Sequence, residues 1–110
     1  MTELNGYRLM WMLVMFDLPV VEDEERRAAA RFRHFLLDQG FEMAQWSVYM
    51  RFCAGKEHTE TLIRRVEKNL PAGGKIDVLY FTDKQYESIA SFRGKARDKR
   101  RKNPDQFQLF

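Results

Sequence analysis

Asp17 is the side chain whose type and position suit it best to chemistry. It closes an apolar run, Leu9-Met-Trp-Met-Leu-Val-Met-Phe16, and Leu18-Pro19 follows at once. A run of eight apolar residues is too short to cross a membrane, and a strand with one buried face would alternate with polar residues. It therefore reads as a central strand buried on both faces that delivers one carboxylate to its carboxyl end. Pro19 has no N–H for a ladder and biases Leu18 toward an extended conformation, so the strand stops there. A carboxylate so placed serves either as a turn former or as an anionic oxygen donor for chemistry, and the local sequence leaves both readings open.

Other reactive types stand apart from one another. Cys53 is the single cysteine, unable to form an intrachain disulfide, and is expected as a small packed residue in a reducing, cytoplasmic compartment. Cys53 with His58 is too little for a zinc site; His58 is expected in a loop or cap, and His34 on the surface. Arg8 before the apolar run imitates a signal peptide, but Asp17 interrupts the run and no small-residue cleavage pattern follows.

Charge is distributed unevenly. Residues 91–110 hold seven of the 19 Lys and Arg but two of the 16 acids, so this end carries +5 while the other 90 residues sum to −2. A basic segment on a nearly neutral globule suits a polyanionic partner, and also serves as a solubilising tail. The division expected is a globular domain over 1–90 and a basic C-terminal segment over 91–110.

The elements that must position Asp17 follow from periodicity. Glu22-Asp23-Glu24-Glu25-Arg26-Arg27 places acids before bases, as a helix start prefers, with Glu22–Arg26 and Asp23–Arg27 as i,i+4 pairs. Ala28, Ala29, Phe32, Phe35 and Leu36 give that helix an inner stripe to about Asp38, with Gly40 at the left-handed position beyond it. Arg26, Arg27, Arg31 and Arg33 lie off the stripe, where a solvated face is the simplest use. Residues 41–53 alternate, but the phase slips between Met43 and Trp46, which requires a bulge or bend near Ala44 or Gln45 between two strands. Trp46, Val48, Met50 and Phe52 then share one face, and Ser47, Tyr49 and Arg51 the other. Thr59 is a plausible N-cap for a second helix bearing Leu62, Ile63, Val66 and Leu70, ended by Pro71 and Gly73-Gly74. Ile76–Phe81 is a further strand, and Thr82 with Gln85 fits a capping box for a short helix through Ile89. Residues 93–102 are expected to lack fixed structure. Asp105–Phe110 alternates again, so Phe107 and Leu109 face one way from an extended segment suited to strand addition.

Strand, helix, strand, strand, helix, strand is the ferredoxin-like α+β order, βαββαβ, here with an additional C-terminal strand. Both helices cover one sheet face. The first strand is apolar on both sides, so a second copy in a two-fold homodimer is the least demanding cover for the other.

These residues resemble the small CRISPR-associated endonuclease family of the spacer-acquisition complex, the Cas-two family, and most closely its members from type II systems. The resemblance covers most of the chain: the strand ending Phe16-Asp17-Leu18-Pro19, the early arginines of the first helix, Gln45-Trp46-Ser47-Val48-Tyr49, and the closing Asp105-Gln106-Phe107-Gln108-Leu109-Phe110. It implies a ferredoxin-like homodimer in which the two Asp17 carboxylates face each other and share one divalent cation, Mg²⁺ or another. That suits an ion which keeps several waters and takes one or two carboxylates. It also implies that Ser47 lies near this site, that Arg26, Arg27, Arg31 and Arg33 contact phosphates, and that Phe107, Leu109 and Phe110 dock a partner. The partners implied are a CRISPR integrase subunit and double-stranded prespacer DNA, with RNA a further substrate for cleavage. Leu18-Pro19 stands where many members are more polar, and no second carboxylate neighbours Asp17 in sequence.

Two functions of different class are consistent with these residues. One is an adaptation protein that holds prespacer DNA and bridges integrase dimers, a scaffold role for which its metal-dependent endonuclease activity at Asp17 is dispensable. The other is a free-standing Mg²⁺-dependent endoribonuclease or endodeoxyribonuclease. A small-molecule-sensing regulator dimer is a blander third, and predicts little salt-dependent affinity for nucleic acid.

Overall fold

The computed structural model describes residues 9–98. Along the chain lie β1 (Met10–Asp17), α1 (Asp23–Asp38), β2 (Glu42–Gln45), β3 (Val48–Cys53), α2 (Lys56–Glu67), β4 (Lys75–Thr82), α3 (Asp83–Glu87), β5 (Phe92–Arg93) and β6 (Ala96–Arg97). The first four strands form one sheet in the order β2-β3-β1-β4, and β5 with β6 forms a separate hairpin. Every pairing in the larger sheet is antiparallel. This is the ferredoxin-like arrangement, with β1 and β3 central.

Alternation along β1 decides where the core lies. Met12, Val14 and Phe16 point to the helical side and join Phe32 and Leu36 of α1, Leu62 and Val66 of α2, Tyr49 and Cys53 of β3, and Phe41 in one buried cluster. Phe16 meets Phe32 edge to face, with centroids 5.3 Å apart. Truncating a fully buried leucine such as Leu36 or Leu62 in such a cluster costs about 2–5 kcal/mol.

The opposite face of β1 is covered most fully at its start, and the chain from Ile89 to Arg93 borders it at Leu13. Trp11 stacks on Tyr86 of α3 at 4.0 Å, meets Phe52 edge-on at 5.5 Å and donates its indole N–H to Asp83 Oδ1 at 3.2 Å. Farther along the same face Leu13 is half-buried, and Met15 and Leu79 remain 41% and 43% exposed.

Local signals set most boundaries. Glu25 accepts from the backbone of Val21 and Glu22 at 3.0 and 2.9 Å, closing the start of α1. Gly40 takes φ +89°, and a Cβ there would stand 2.7 Å from Arg51 Nε. The expected phase slip is real: the β2–β3 register shifts between Met43 and Gln45. Thr82 and Gln85 form the expected capping box.

Five expectations need correction. The α1 ion pairs run one residue out of step with the i,i+4 reading, as Asp23–Arg26 and Glu24–Arg27, with Arg26 turned back to the Val20 and Val21 carbonyls and Glu24 shared between Arg27 and Arg31. α2 begins at Lys56 after Gly55, so Thr59 is not the cap but a buried residue donating its hydroxyl to the Lys56 carbonyl at 2.5 Å. The same helix ends at Glu67, which leaves Leu70 outside it and exposed. α3 stops at Glu87, short of Ile89. Part of the basic segment expected to lack fixed structure is also ordered: β5 and β6 pair around Gly94 at φ +62°, with the Arg97 guanidinium 5.7 Å from the Phe92 ring centroid. The alternating stretch with Phe107, Leu109 and Phe110 lies outside the described residues.

Candidate functional site

Asp17 is the last residue of β1 and is exposed. In the β1–β4 register it stands opposite Lys75, while Met15 stands opposite Asp77. Residues paired across a ladder share a face, so Asp17, Lys75 and Asp77 all lie on the face not covered by α1 and α2. Asp17 and Asp77 are diagonal neighbours, which in sheets stand roughly 7–8 Å apart. Lys75 reaches the same carboxylate, its Nζ 3.7 Å from Asp77 Oδ2.

Two backbone features hold this corner. Gly74, at φ +90°, passes so close to the end of β1 that a Cβ would stand 2.6 Å from the Asp17 carbonyl oxygen and 2.8 Å from Leu18 Cδ2. On the other side, the Phe16 amide donates to the Ser47 carbonyl at 3.0 Å. Ser47 and Trp46 form the two-residue turn between β2 and β3, with Gln45 paired to Val48 across it. Ser47 alone among the described non-glycine residues has positive φ, at 61°. Only the second central residue being left-handed is the sign pattern of a type II turn, which ordinarily selects glycine or asparagine there.

These elements enclose a shallow depression of about 320 Å³ that includes Asp17, Ser47, Trp46, Lys75 and Asp77, with Met15 and Val48 as its apolar floor. Its donor atoms are carboxylate and hydroxyl oxygens, which suit a hard divalent cation better than a thiolate- or imidazole-seeking metal. Among the described residues no group of three or more His, Cys, Asp and Glu side chains could hold an ion. One chain therefore offers two carboxylates, a set that suits an ion keeping most of its waters or completing its shell from a second copy.

The residues singled out in the sequence are not all brought together. Ser47 lies beside Asp17, held there by its backbone carbonyl. Arg26 turns back on the loop before its helix, donating to the Val20 and Val21 carbonyls at 3.0 and 2.7 Å and pairing with Asp23. Arg27 and Arg31 both hold Glu24, at 3.2 and 3.1 Å, and this shared grip, Arg31 foremost, lowers the Glu24 carboxyl from its usual range. Arg33 is half-buried and makes no ion pair among the described residues.

Three members of the depression were not expected from sequence. Asp77 belongs to a strand read as purely structural and Lys75 precedes the bounds expected for it, and their signal is one polar position, Asp77, interrupting the apolar Ile76–Phe81. Trp46, grouped by alternation with Val48, Met50 and Phe52, instead occupies the turn and is 86% exposed.

A second polar cluster lies on the helical side. Arg51 donates toward the Phe52 carbonyl and sits 3.3 Å from His58 Nε2, while its Nε is buried without a partner. Burial first, then the charges of Arg51 and Arg65, lower the His58 pKa. Burial raises the Cys53 thiol, which keeps it protonated and inert. No helix among the described residues is long and apolar enough to cross a membrane.

Residues 10–89 match the family model described as CRISPR associated protein Cas2. Curated relatives named CRISPR-associated endoribonuclease Cas2 include one from Paracidovorax avenae, 59% identical over 107 residues covering 97% of this chain and 99% of the relative. Another, from Flavobacterium psychrophilum, is 46% identical over 109 residues, covering 99% and 95%. A third, from Parvibaculum lavamentivorans, is 44% identical over 101 residues, covering 92% and 100%.

Proposed function

From the premise that the chain belongs to the Cas2 family of CRISPR systems, we propose that it is the spacer-acquisition subunit of its system, a homodimer that holds double-stranded prespacer DNA and bridges integrase subunits. We propose further that it hydrolyses phosphodiester bonds at Asp17, with RNA as the cleaved substrate, the substrate class given in the name of its relatives. The observation that carries the hydrolytic reading is the presence of Asp17 and Asp77 on one open face beside Lys75.

Asp17 and Asp77 would hold the divalent cation, Mg²⁺ above all, through oxygen. When bound, such an ion stabilises charge on a phosphate and lowers the pKa of water. Lys75 restrains the Asp77 carboxylate and adds a positive charge that offsets the two acids toward an incoming phosphate. Ser47 fixes the wall of the depression through its carbonyl, while its hydroxyl is available to a phosphate oxygen. Arg27 and Arg31, exposed on α1, have donors beyond those engaged by Glu24 and are the better phosphate contacts of the four arginines. The exposed Met15 and Leu79 support the homodimer, since a second copy would remove them from water.

The test is co-elution of this protein with the integrase subunit of the same system, with and without a short duplex at two salt concentrations, alongside RNA cleavage by wild type and Asp17→Ala. A ternary complex that survives Asp17→Ala, with cleavage lost, is the expected result. No complex, with cleavage intact in the isolated protein, would leave a free-standing nuclease. Cleavage unaffected by Asp17→Ala would remove the hydrolytic site from this depression.

A further inference from the structure

Trp46 is the most exposed large hydrophobic residue described, at 86%. It contrasts with Trp11, which has a stacking partner, an edge contact and a hydrogen bond for its indole N–H. Trp46 makes no aromatic contact among the described residues. Nor does the turn call for it: tight hairpin turns prefer glycine, asparagine or aspartate, and an indole in water forfeits the burial that makes tryptophan stabilising. The turn itself carries a left-handed Ser47, and residues held in such conformations gather at binding and catalytic sites. Its fastening is specific: the Ser47 carbonyl accepts from Phe16, the residue immediately before Asp17, so the indole is tethered one residue from the strand end that presents the acid.

The surroundings select the ligand. Trp46 shares its depression with two carboxylates and an ammonium, and the cores of protein interfaces are depleted of such charges. A flat aromatic face beside a phosphate-handling corner is the pairing that nucleic-acid proteins use for unpaired bases, where stacking is tolerant of sequence because every base has a π-face. Bases in a continuous duplex are already stacked on their neighbours and offer no free face.

We propose that Trp46 is a stacking platform for one unpaired nucleobase next to Asp17, so that the strand presented to the acid is single-stranded or locally opened at that nucleotide. The proposal rests on the reading that nucleic acid is handled at this depression, and it specifies the state of the strand taken there.

Binding is measured in EDTA at fixed salt, by indole emission and by anisotropy, for wild type, Trp46→Ala and Trp46→Phe. The probes are a short single-stranded RNA, its DNA counterpart, the same RNA annealed as a blunt duplex, and an abasic ribose-phosphate chain of equal length. Trp46→Ala is expected to weaken binding of the single strand by about five- to a hundredfold. Duplex and abasic affinities should stay unchanged, and Trp46→Phe should restore most of the loss. Base-bearing strands should quench the emission that is missing from Trp46→Phe, whereas the abasic chain should not. Equal RNA and DNA effects would assign the site to the base alone, and an effect confined to one would assign it to that sugar; either supports stacking. Equal weakening for all four probes, or for none, overturns it. So does a fall in the protein's own mass by light scattering on Trp46→Ala, which would place the indole against a second copy.

The hydrolytic reading fails separately. Loss of cleavage in Asp17→Ala with unaltered probe affinities in Trp46→Ala sinks only the stacking platform. Quenching by single strands in a wild-type protein that never cleaves sinks only the hydrolysis.

Discussion

The α-carbon of Gly74 and the carbonyl of Asp17 are packed so closely that any side chain on Gly74 would begin 2.6 Å from the oxygen. The end of β1 and the entry to β4 are thus fitted to each other through backbone, and the acid is held by a neighbour that contributes no functional group. Gly74→Ala combines that contact with a left-handed φ, and should cost about 1–3 kcal/mol or more in a urea melt. RNA cleavage should fall by more than the lost folded fraction explains, because Asp17 is displaced. A melt superimposable on wild type would show that the approach is not a constraint.

Asp77→Asn keeps the size of the side chain and removes its charge. The Mg²⁺ concentration for half-maximal cleavage should rise about ten- to a hundredfold, while Asp17→Asn should abolish cleavage. Both residues are exposed, so melting should move by less than about 0.5 kcal/mol. EDTA should stop cleavage by wild type and Mg²⁺ restore it. An unaltered Mg²⁺ dependence in Asp77→Asn would leave Asp17 as this chain's sole carboxylate for the ion.

Burial and the adjoining positive charges hold the His58 pKa below its usual 6.5. As pH falls, the unfolded chain takes up this proton before the folded chain does. Stability from this group is therefore full above about pH 6.5 and is lost as pH drops from there toward the folded value. The urea midpoint of wild type should decline between about pH 7 and 5.5, and that of His58→Gln should decline less. Parallel declines would assign the proton uptake to other groups.

Met15 and Leu79 face solvent on the sheet side away from α1 and α2. Light scattering at micromolar concentration should give twice the mass of one chain for wild type and a single mass for Leu79→Asp, with far-UV circular dichroism unchanged. Wild type running as a monomer would remove the homodimer.

Much of this was legible in local patterns. The apolar run to Asp17, the helical stripe ending at Gly40, the phase slip before Trp46 and the Thr82–Gln85 box each rest on residues within a turn or a few strand positions of one another. Asp77 was hidden because its approach to Asp17 depends on the β1–β4 register, a pairing between distant segments that no local period encodes. Trp46 was misassigned because a two-residue turn can fall within an alternating pattern without breaking it. The start of α2 was missed because Gly55 marks it with no capping side chain, which let Thr59 appear to be the signal.

The stacking of Tyr86 on Trp11 also limits how any other molecule can lie on the sheet. α3 stands up from that face like a kerb at the start of β1, and the chain from Ile89 to Arg93 borders the depression over Leu13, so a flat-lying partner has most room toward Met15 and Asp17. For a second copy related by a two-fold axis, the usable footprint is short and off-centre. A small helix remote from Asp17 thereby leaves the end of β1 that carries the acid as the more open end of that sheet face.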